Sequence, residues 1–94
     1  MSEPAFARLR GELEFRELPQ GIVALAFDIG EAFEVDKLGR EVLDAVRERV
    51  GISELVKQLA DAYDARPDDV RRDLLAFLTD CADLGLVELS CQQS

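Results

Sequence analysis

The sequence predicts an α+β domain in which a three-stranded antiparallel sheet is followed by three helices, an order that is winged helix-turn-helix-like. Strand-type patterns fill residues 12–35, and helical patterns follow over residues 37–84. Such segregation of strands from helices is typical of domains that pack helices on one face of a small sheet. With 94 residues, of which 48% are hydrophobic and 33% charged, the chain has room for one domain.

The strand half begins where hydrophobic and charged residues alternate. Residues 12–18 follow a period of two, which is typical of a half-buried strand, and Pro19-Gln20-Gly21 ends it. Residues 22–27 are apolar on both faces and predict a central strand that is covered on each side. A turn over residues 28–31 contains a glycine, as hairpin loops often do, and we expect Ala32 to Val35 to form the third strand.

Each predicted helix has a signal at its start or its end. Asp36 is a good N-cap for helix one, which we expect over residues 37–49. A regular apolar stripe runs from Ile52 to Tyr63 and predicts helix two. Pro67, followed by two acidic residues, is typical of a first helical turn and begins helix three, and Gly85 is placed to end it.

The two ends of the chain show no clear period. We expect residues 1–11 to form a flexible N-terminal arm, residues 12–89 to form the domain with a last extended piece at 86–89, and residues 90–94 to form a C-terminal tail. No apolar stretch reaches the roughly 18–20 residues that cross a bilayer, and no signal peptide is recognisable. These features predict a cytoplasmic protein.

The residue types argue against an enzyme. The chain has no histidine to act as a base, and its glycines do not form a phosphate-binding motif. Cys81 and Cys91 lack the spacing of a zinc or redox site, and Cys81 falls on an apolar helical stripe that predicts its burial. We therefore expect no catalytic residues, no cofactor and no metal.

Charge argues against a nucleic-acid or membrane partner. The net charge of −9 repels phosphate groups, and the acidic excess lies mainly in residues 21–36 and 65–94. A helix-turn-helix would present Arg71 and Arg72 of helix three to DNA, but five aspartates share that helix. A winged-helix DNA-binding or dimerising regulator is the alternative to the function predicted below.

An unpaired strand edge is a template for an added strand, so the sheet predicts a peptide-binding module. Residues 31–35 would supply main-chain hydrogen bonds, and helix three would supply apolar contacts. The acids near this edge, at positions 31, 34, 69 and 73, would favour a peptide that carries Lys or Arg. The same edge is open to self-pairing in a homodimer or to domain swapping.

Three stretches together resemble the PqqD-like family, whose members are recognition elements for ribosomally made, post-translationally modified peptides. The first runs from Leu18 to Gly39, with Val35-Asp36 in the place of the family's Leu-Asn pair. The second is the helical stretch from Ile52 to Tyr63. The third joins the run from Pro67 to Leu78 with the Leu84-Gly85-Leu86-Val87 segment.

The resemblance implies that the leader segment of a precursor peptide adds a strand to strand three and lies against helix three. It also implies delivery to a partner, either a radical S-adenosylmethionine (SAM) enzyme or a leader peptidase and cyclase of a lasso-peptide pathway. At the second strand, residues 25–30 depart from the sequence motifs that are common in the family's quinone-cofactor branch. The resemblance therefore leaves the pathway open. Carried onto this chain, the peptide-binding residues are Glu31, Ala32, Phe33, Glu34, Val35, Val70, Arg71, Asp73, Leu74, Phe77 and Leu78.

Overall fold

A computed structural model describes residues 4–91 and places two three-stranded antiparallel sheets beside three helices. The strands are β1 (Phe6–Leu9), β2 (Leu13–Leu18), β3 (Gly21–Ala26), β4 (Glu31–Val35), β5 (Val50–Gly51) and β6 (Val87–Ser90). The helices are α1 (Lys37–Ala45), α2 (Ile52–Tyr63) and α3 (Pro67–Asp83). The predicted α+β class is confirmed, whereas the winged-helix likeness stays a prediction.

The sheet of β2, β3 and β4 matches the strand half that the sequence predicts. Leu18 pairs with Gly21 across the first turn, and Ala26 pairs with Glu31 across the second, so both connections are hairpins. β3 is the central strand, as its apolar run predicts, and Ala24 and Ala26 on one of its faces are buried. β4 therefore forms one edge of this sheet.

A second sheet, with the strand order β5, β1 and β6, corrects the prediction of a single sheet and that of a flexible N-terminal arm. Residues 6–9 form its central strand and so do not belong to a flexible arm, because Ala7 and Leu9 are buried in the core. The expected extended piece near residue 86 becomes β6 and pairs along the whole of β1. The remaining ends of the predicted arm and tail, residues 1–3 and 92–94, lie outside the described part of the chain.

The helices begin where the sequence predicts. Asp36 caps α1, since its Oδ1 accepts a hydrogen bond of 2.7 Å from the Gly39 amide. Pro67 stands in the first turn of α3, and Gly85 follows the helix with a φ of +87°. Helix one is shorter than predicted, because the Val46 carbonyl accepts from Leu9 of β1 and residues 50–51 form β5. Tertiary pairing overrides the helical pattern there.

Arg40 of α1 and Arg47, two residues beyond its end, connect this part of the chain to the sheet of β2, β3 and β4. Arg47 donates to the Leu13 carbonyl at 3.0 Å, and Arg40 donates to the Glu17 carboxylate at 3.1 Å. Both guanidinium groups also lie over the ring of Phe15, at 5.1 Å for Arg40 and 5.7 Å for Arg47. The position of α1 relative to the sheet is thus held from both ends of β2.

The apolar residues form one core that joins both sheets and all three helices. Leu43 of α1, Ile52 and Leu55 of α2 and Leu78 of α3 are its largest fully buried side chains. Within residues 4–91, none of the helices is both long enough and apolar enough to span a bilayer.

Candidate functional site

A groove opens between the first two turns of α1, the end of α2 and the first half of α3. We call it the α1–α3 groove. It has a volume of about 430 Å³, which lies in the range of ligand pockets. Its lining residues are Asp36, Leu38, Gly39, Val42, Leu59, Tyr63, Ala65, Asp69, Val70, Asp73, Leu74 and Phe77.

Gly39 sets how closely α1 and α3 approach each other. A Cβ atom at this position would lie 3.4 Å from Cζ of Phe77 and 3.1 Å from Oδ1 of Asp36. The distance to Phe77 is at the lower limit of ordinary van der Waals contact and the distance to Asp36 is shorter, so a larger residue would touch Phe77 and displace the capping carboxylate by a few tenths of an ångström. A glycine inside a helix lowers its stability, and here it permits the contact that closes one side of the groove.

The rim of the groove is polar where α1 faces the end of α2. The Glu41 carboxylate, as an acceptor for the Tyr63 hydroxyl, raises the pKa of Tyr63, and Asp36 adds a smaller effect in the same direction. Tyr63 and Leu38 are 45% and 40% exposed, although both are large apolar side chains. The groove therefore combines an apolar lining with an acidic rim.

β4 leads directly into the α1–α3 groove. Its last residue, Val35, is followed at once by the lining residue Asp36. At the opposite end of the strand, the turn after β3 approaches α3, since Ile29 Cγ2 lies 3.7 Å from the place of a Cβ on Gly85. Within residues 4–91, β3 is the one strand that pairs with β4, so the other edge of β4 is open.

The structure brings together four of the six predicted residues on α3. Val70, Asp73, Leu74 and Phe77 line the groove. Arg71 lies outside it and donates a hydrogen bond of 3.0 Å to Ser53 of α2. Leu78 is 0% exposed and belongs to the core. The groove wall on α3 is therefore narrower than predicted, since it includes only part of the helix's apolar stripe.

The predicted residues of the sheet edge all lie on β4. Glu31, Ala32 and Glu34 are exposed, whereas Phe33 and Val35 are half-buried and pack against the core. None of the five lines the α1–α3 groove itself. The strand edge and the groove are thus two adjoining surfaces, and they meet at Asp36.

Sequence reasoning missed the contribution of α1 and of the end of α2 to the groove. Leu38, Gly39 and Val42 come from α1, and Leu59 and Tyr63 come from α2. One signal was present: Gly39 is the glycine that neither a turn nor a helix end explains in the sequence. A glycine inside a helix commonly marks a close approach of another element.

We expect Leu78→Ala to destabilise the protein by about 2–5 kcal/mol, because it removes a fully buried side chain and leaves a cavity. Urea unfolding followed by circular dichroism measures the change. Leu84→Ala is the matched control, since Leu84 is 52% exposed and its loss should change stability by about 0.5 kcal/mol or less. An unchanged urea midpoint for Leu78→Ala would show that this residue is not part of the core.

The predicted burial of Cys81 is confirmed, since its side chain belongs to the core. Burial raises the pKa of the Cys81 thiol to about 11, and the nearby Asp80 carboxylate adds to this effect. At neutral pH the group is a protonated thiol, which is a poor nucleophile. Cys81 therefore acts as a small apolar side chain.

Together, the fold and the groove define a small α+β domain with an open strand edge beside an acid-rimmed apolar groove, an arrangement suited to an extended peptide. The family model of coenzyme PQQ synthesis protein D (PqqD) matches residues 21–87. The chain belongs to the PqqD family, which confirms the resemblance of the three stretches.

Two solved structures are similar to this one. The first is the solution NMR structure of the PqqD truncation of Methylobacterium extorquens PqqCD, a functional and stand-alone recognition element for ribosomally synthesised, post-translationally modified peptides. Its TM-score is 0.74, with 27% identity over 93% of each chain. The second is lasso peptide synthetase B1 complexed with the leader peptide. It covers 87% of this chain and 96% of its own, with a TM-score of 0.70 and 21% identity, and supports the fold. No curated protein matches the chain significantly.

Proposed function

We propose that this protein is a non-catalytic recognition element that binds the leader segment of a ribosomally made precursor peptide and presents it to a modifying enzyme in the cytoplasm. The open edge of β4, which runs into the α1–α3 groove, is the observation that carries the proposal. Membership of the PqqD family and the likeness to a stand-alone recognition element support it. The partner enzyme is a radical SAM enzyme or a leader peptidase and cyclase.

The register of the sheet of β2, β3 and β4 supports a proposal for the backbone groups that a bound peptide would use. The two-residue turn closes on the Leu18–Gly21 pair, and such a closing pair is hydrogen-bonded. By alternation, Val23 and Leu25 bond to β2, so Ala24 and Ala26 bond to β4 through their partners at positions 33 and 31. The amide and carbonyl groups of Ala32 and Glu34 then face the open edge. A leader strand would pair with these two residues.

The α1–α3 groove would hold an apolar side chain of the leader. Leu74 forms its floor at 4% exposed, while Phe77 and Val70 are half-buried and stay within reach of a ligand. Burying one side chain of the size of Leu or Phe contributes about 1.5–3 kcal/mol. This contact would add to the main-chain pairing with β4.

The rival function, DNA binding through α3, is disfavoured by the charges of that helix. Arg71 is engaged with Ser53, and Arg72 lies 3.4 Å from Asp69 and 3.6 Å from Asp73. The helix also presents exposed aspartates along its length, which would repel a phosphate backbone.

A fluorescence-anisotropy titration with a labelled leader peptide, taken from a precursor encoded beside the gene, tests the proposal. We expect saturable binding in the micromolar range or tighter, competed by unlabelled leader. A scrambled peptide and duplex DNA are the controls, and neither should compete. Sedimentation velocity should show the monomer-to-dimer ratio unchanged or raised by the peptide, since a second copy pairing through β4 would occupy the same edge. Absence of binding to the leader would contradict the proposal.

A further inference from the structure

The charge around the α1–α3 groove has one sign. Three carboxylates line it, those of Asp36, Asp69 and Asp73, and Glu41 adds a fourth beside Tyr63. No lysine or arginine is among the lining residues. A ligand that enters this groove therefore meets a negative potential on the α1 side and on the α3 side.

Arg72 offsets part of this negative charge, and an excess of negative charge remains. It contacts Asp69 and Asp73 at 3.4 Å and 3.6 Å, but its side chain is 73% exposed and lies outside the groove. Exposed pairs of this length are weak and are readily exchanged for another cation. A cationic ligand group can thus replace Arg72 at the two aspartates.

The lining between these carboxylates is apolar. Val42, Leu59 and Leu74 are buried, and the exposed side chains of Leu38 and Tyr63 extend the apolar surface to the rim. An apolar ligand side chain would be desolvated here while its chain neighbours stay near the acids. The apolar floor favours an apolar side chain, and the acidic rim favours a cationic side chain at a neighbouring position of the ligand.

We propose that the segment of the leader that occupies the groove carries an aromatic or branched aliphatic residue flanked by Lys or Arg. This inference rests on the proposed function and specifies its ligand. All strand pairs in the structure are antiparallel, and an added strand of the same sense would have its N-terminal end at Val35, next to the groove. The basic and apolar residues accordingly precede the segment that pairs with β4.

Selection from a displayed library of random 12-residue peptides tests the ligand chemistry without assuming a precursor. We expect the enriched peptides to share an apolar residue with at least one adjacent Lys or Arg, N-terminal to a run of β-forming residues. Enrichment of peptides without this pattern would overturn the inference but leave peptide binding in place. Failure to enrich any peptide would contradict the proposed function, and with it the inference.

The double variant Asp69→Asn/Asp73→Asn tests the acidic rim with one of the selected peptides. We expect its affinity to fall by about fivefold to tenfold at low salt, and the difference from the wild type to shrink as salt rises to about 0.5 M. Asp68→Asn/Asp83→Asn is the matched control, because it makes the same change of charge on α3. Asp68 lines the α2 side of the helix, Asp83 is exposed at its last residue, and neither lines the groove. Equal affinities of the two double variants would overturn the inference.

Discussion

Leader binding is expected to fall by about fivefold to 140-fold in the variant Glu34→Pro, with the fold retained. Proline has no amide hydrogen, so the variant loses a donor on the open edge of β4 and leaves a peptide carbonyl without a partner. An unsatisfied carbonyl costs about 1–3 kcal/mol, and each 1.4 kcal/mol is a factor of ten in affinity. Proline is tolerated on edge strands when its amide faces away from the sheet. Anisotropy with the labelled leader measures the effect, and Ala32→Pro should behave in the same way.

Two further variants separate the backbone effect from its alternatives. Glu34→Gln removes the charge and keeps the amide, so it should bind the leader within about threefold of the wild type. Phe33→Pro removes a bond from β4 to β3 opposite the buried Ala24, and we expect it to unfold the protein. Full binding by Glu34→Pro would exclude strand addition at β4. Unfolding of Glu34→Pro would instead contradict the register assigned to the open edge.

Ala7→Asp is expected to destabilise the domain by about 3–5 kcal/mol, which is a large part of the stability of a domain this small. Ala7 is 1% exposed and lies in the central strand of the second sheet, so the new carboxylate would be buried without a partner. The pKa of such a group rises, and the loss of stability should therefore be smaller at low pH, where the carboxyl is protonated. Urea unfolding at neutral and acidic pH measures both effects.

Arg8→Asp is the neighbouring control. Arg8 is exposed, and it pairs with Glu88 of β6 through the backbone register. Two facing acids on a sheet surface cost about 0.2–1 kcal/mol, far less than a buried charge. If Ala7→Asp were no more harmful than Arg8→Asp, residues 6–9 would not be an integral strand, and the flexible arm that the sequence predicts would be the better description.

The local signals of the helices and hairpins were readable in the sequence. Asp36, Pro67 and Gly85 mark helix ends through effects that act within a few residues, and all three stand where they were expected. The central position of β3 likewise follows from its own apolar run. These features depend on the chain's immediate neighbours, which is why no tertiary information was needed.

The second sheet could not be predicted in this way. β1 has four residues and pairs with strands that lie about 40 and 80 positions along the chain, one of them only two residues long. The shortening of α1 has the same origin, since the Val46 carbonyl bonds to Leu9. Segments this short show no hydrophobic period, so their long-range pairing cannot be recognised in the sequence.

The candidate site was predicted in part. The α3 residues Val70, Asp73, Leu74 and Phe77 share one side of the helix, and the spacing that predicts a helix also predicts this grouping. Leu78 faces the core and Arg71 faces α2. These orientations depend on how α3 is rotated about its own axis when it packs against the rest of the domain. The contribution of α1 to the groove depends on how closely α1 packs against α3 near Gly39. Apart from that glycine, no local sequence signal predicts it.

The junction of β4 and α1 consists of Asp36 alone, and α1 is held to β2 by Arg40 and Arg47. A peptide strand laid on β4 would therefore join a surface whose backbone is already ordered, so little conformational entropy remains to be lost by the protein. Most of the ordering on binding falls on the leader. Amide exchange in α1 should accordingly stay nearly unchanged on binding, because the helix is already held against β2 in the free protein.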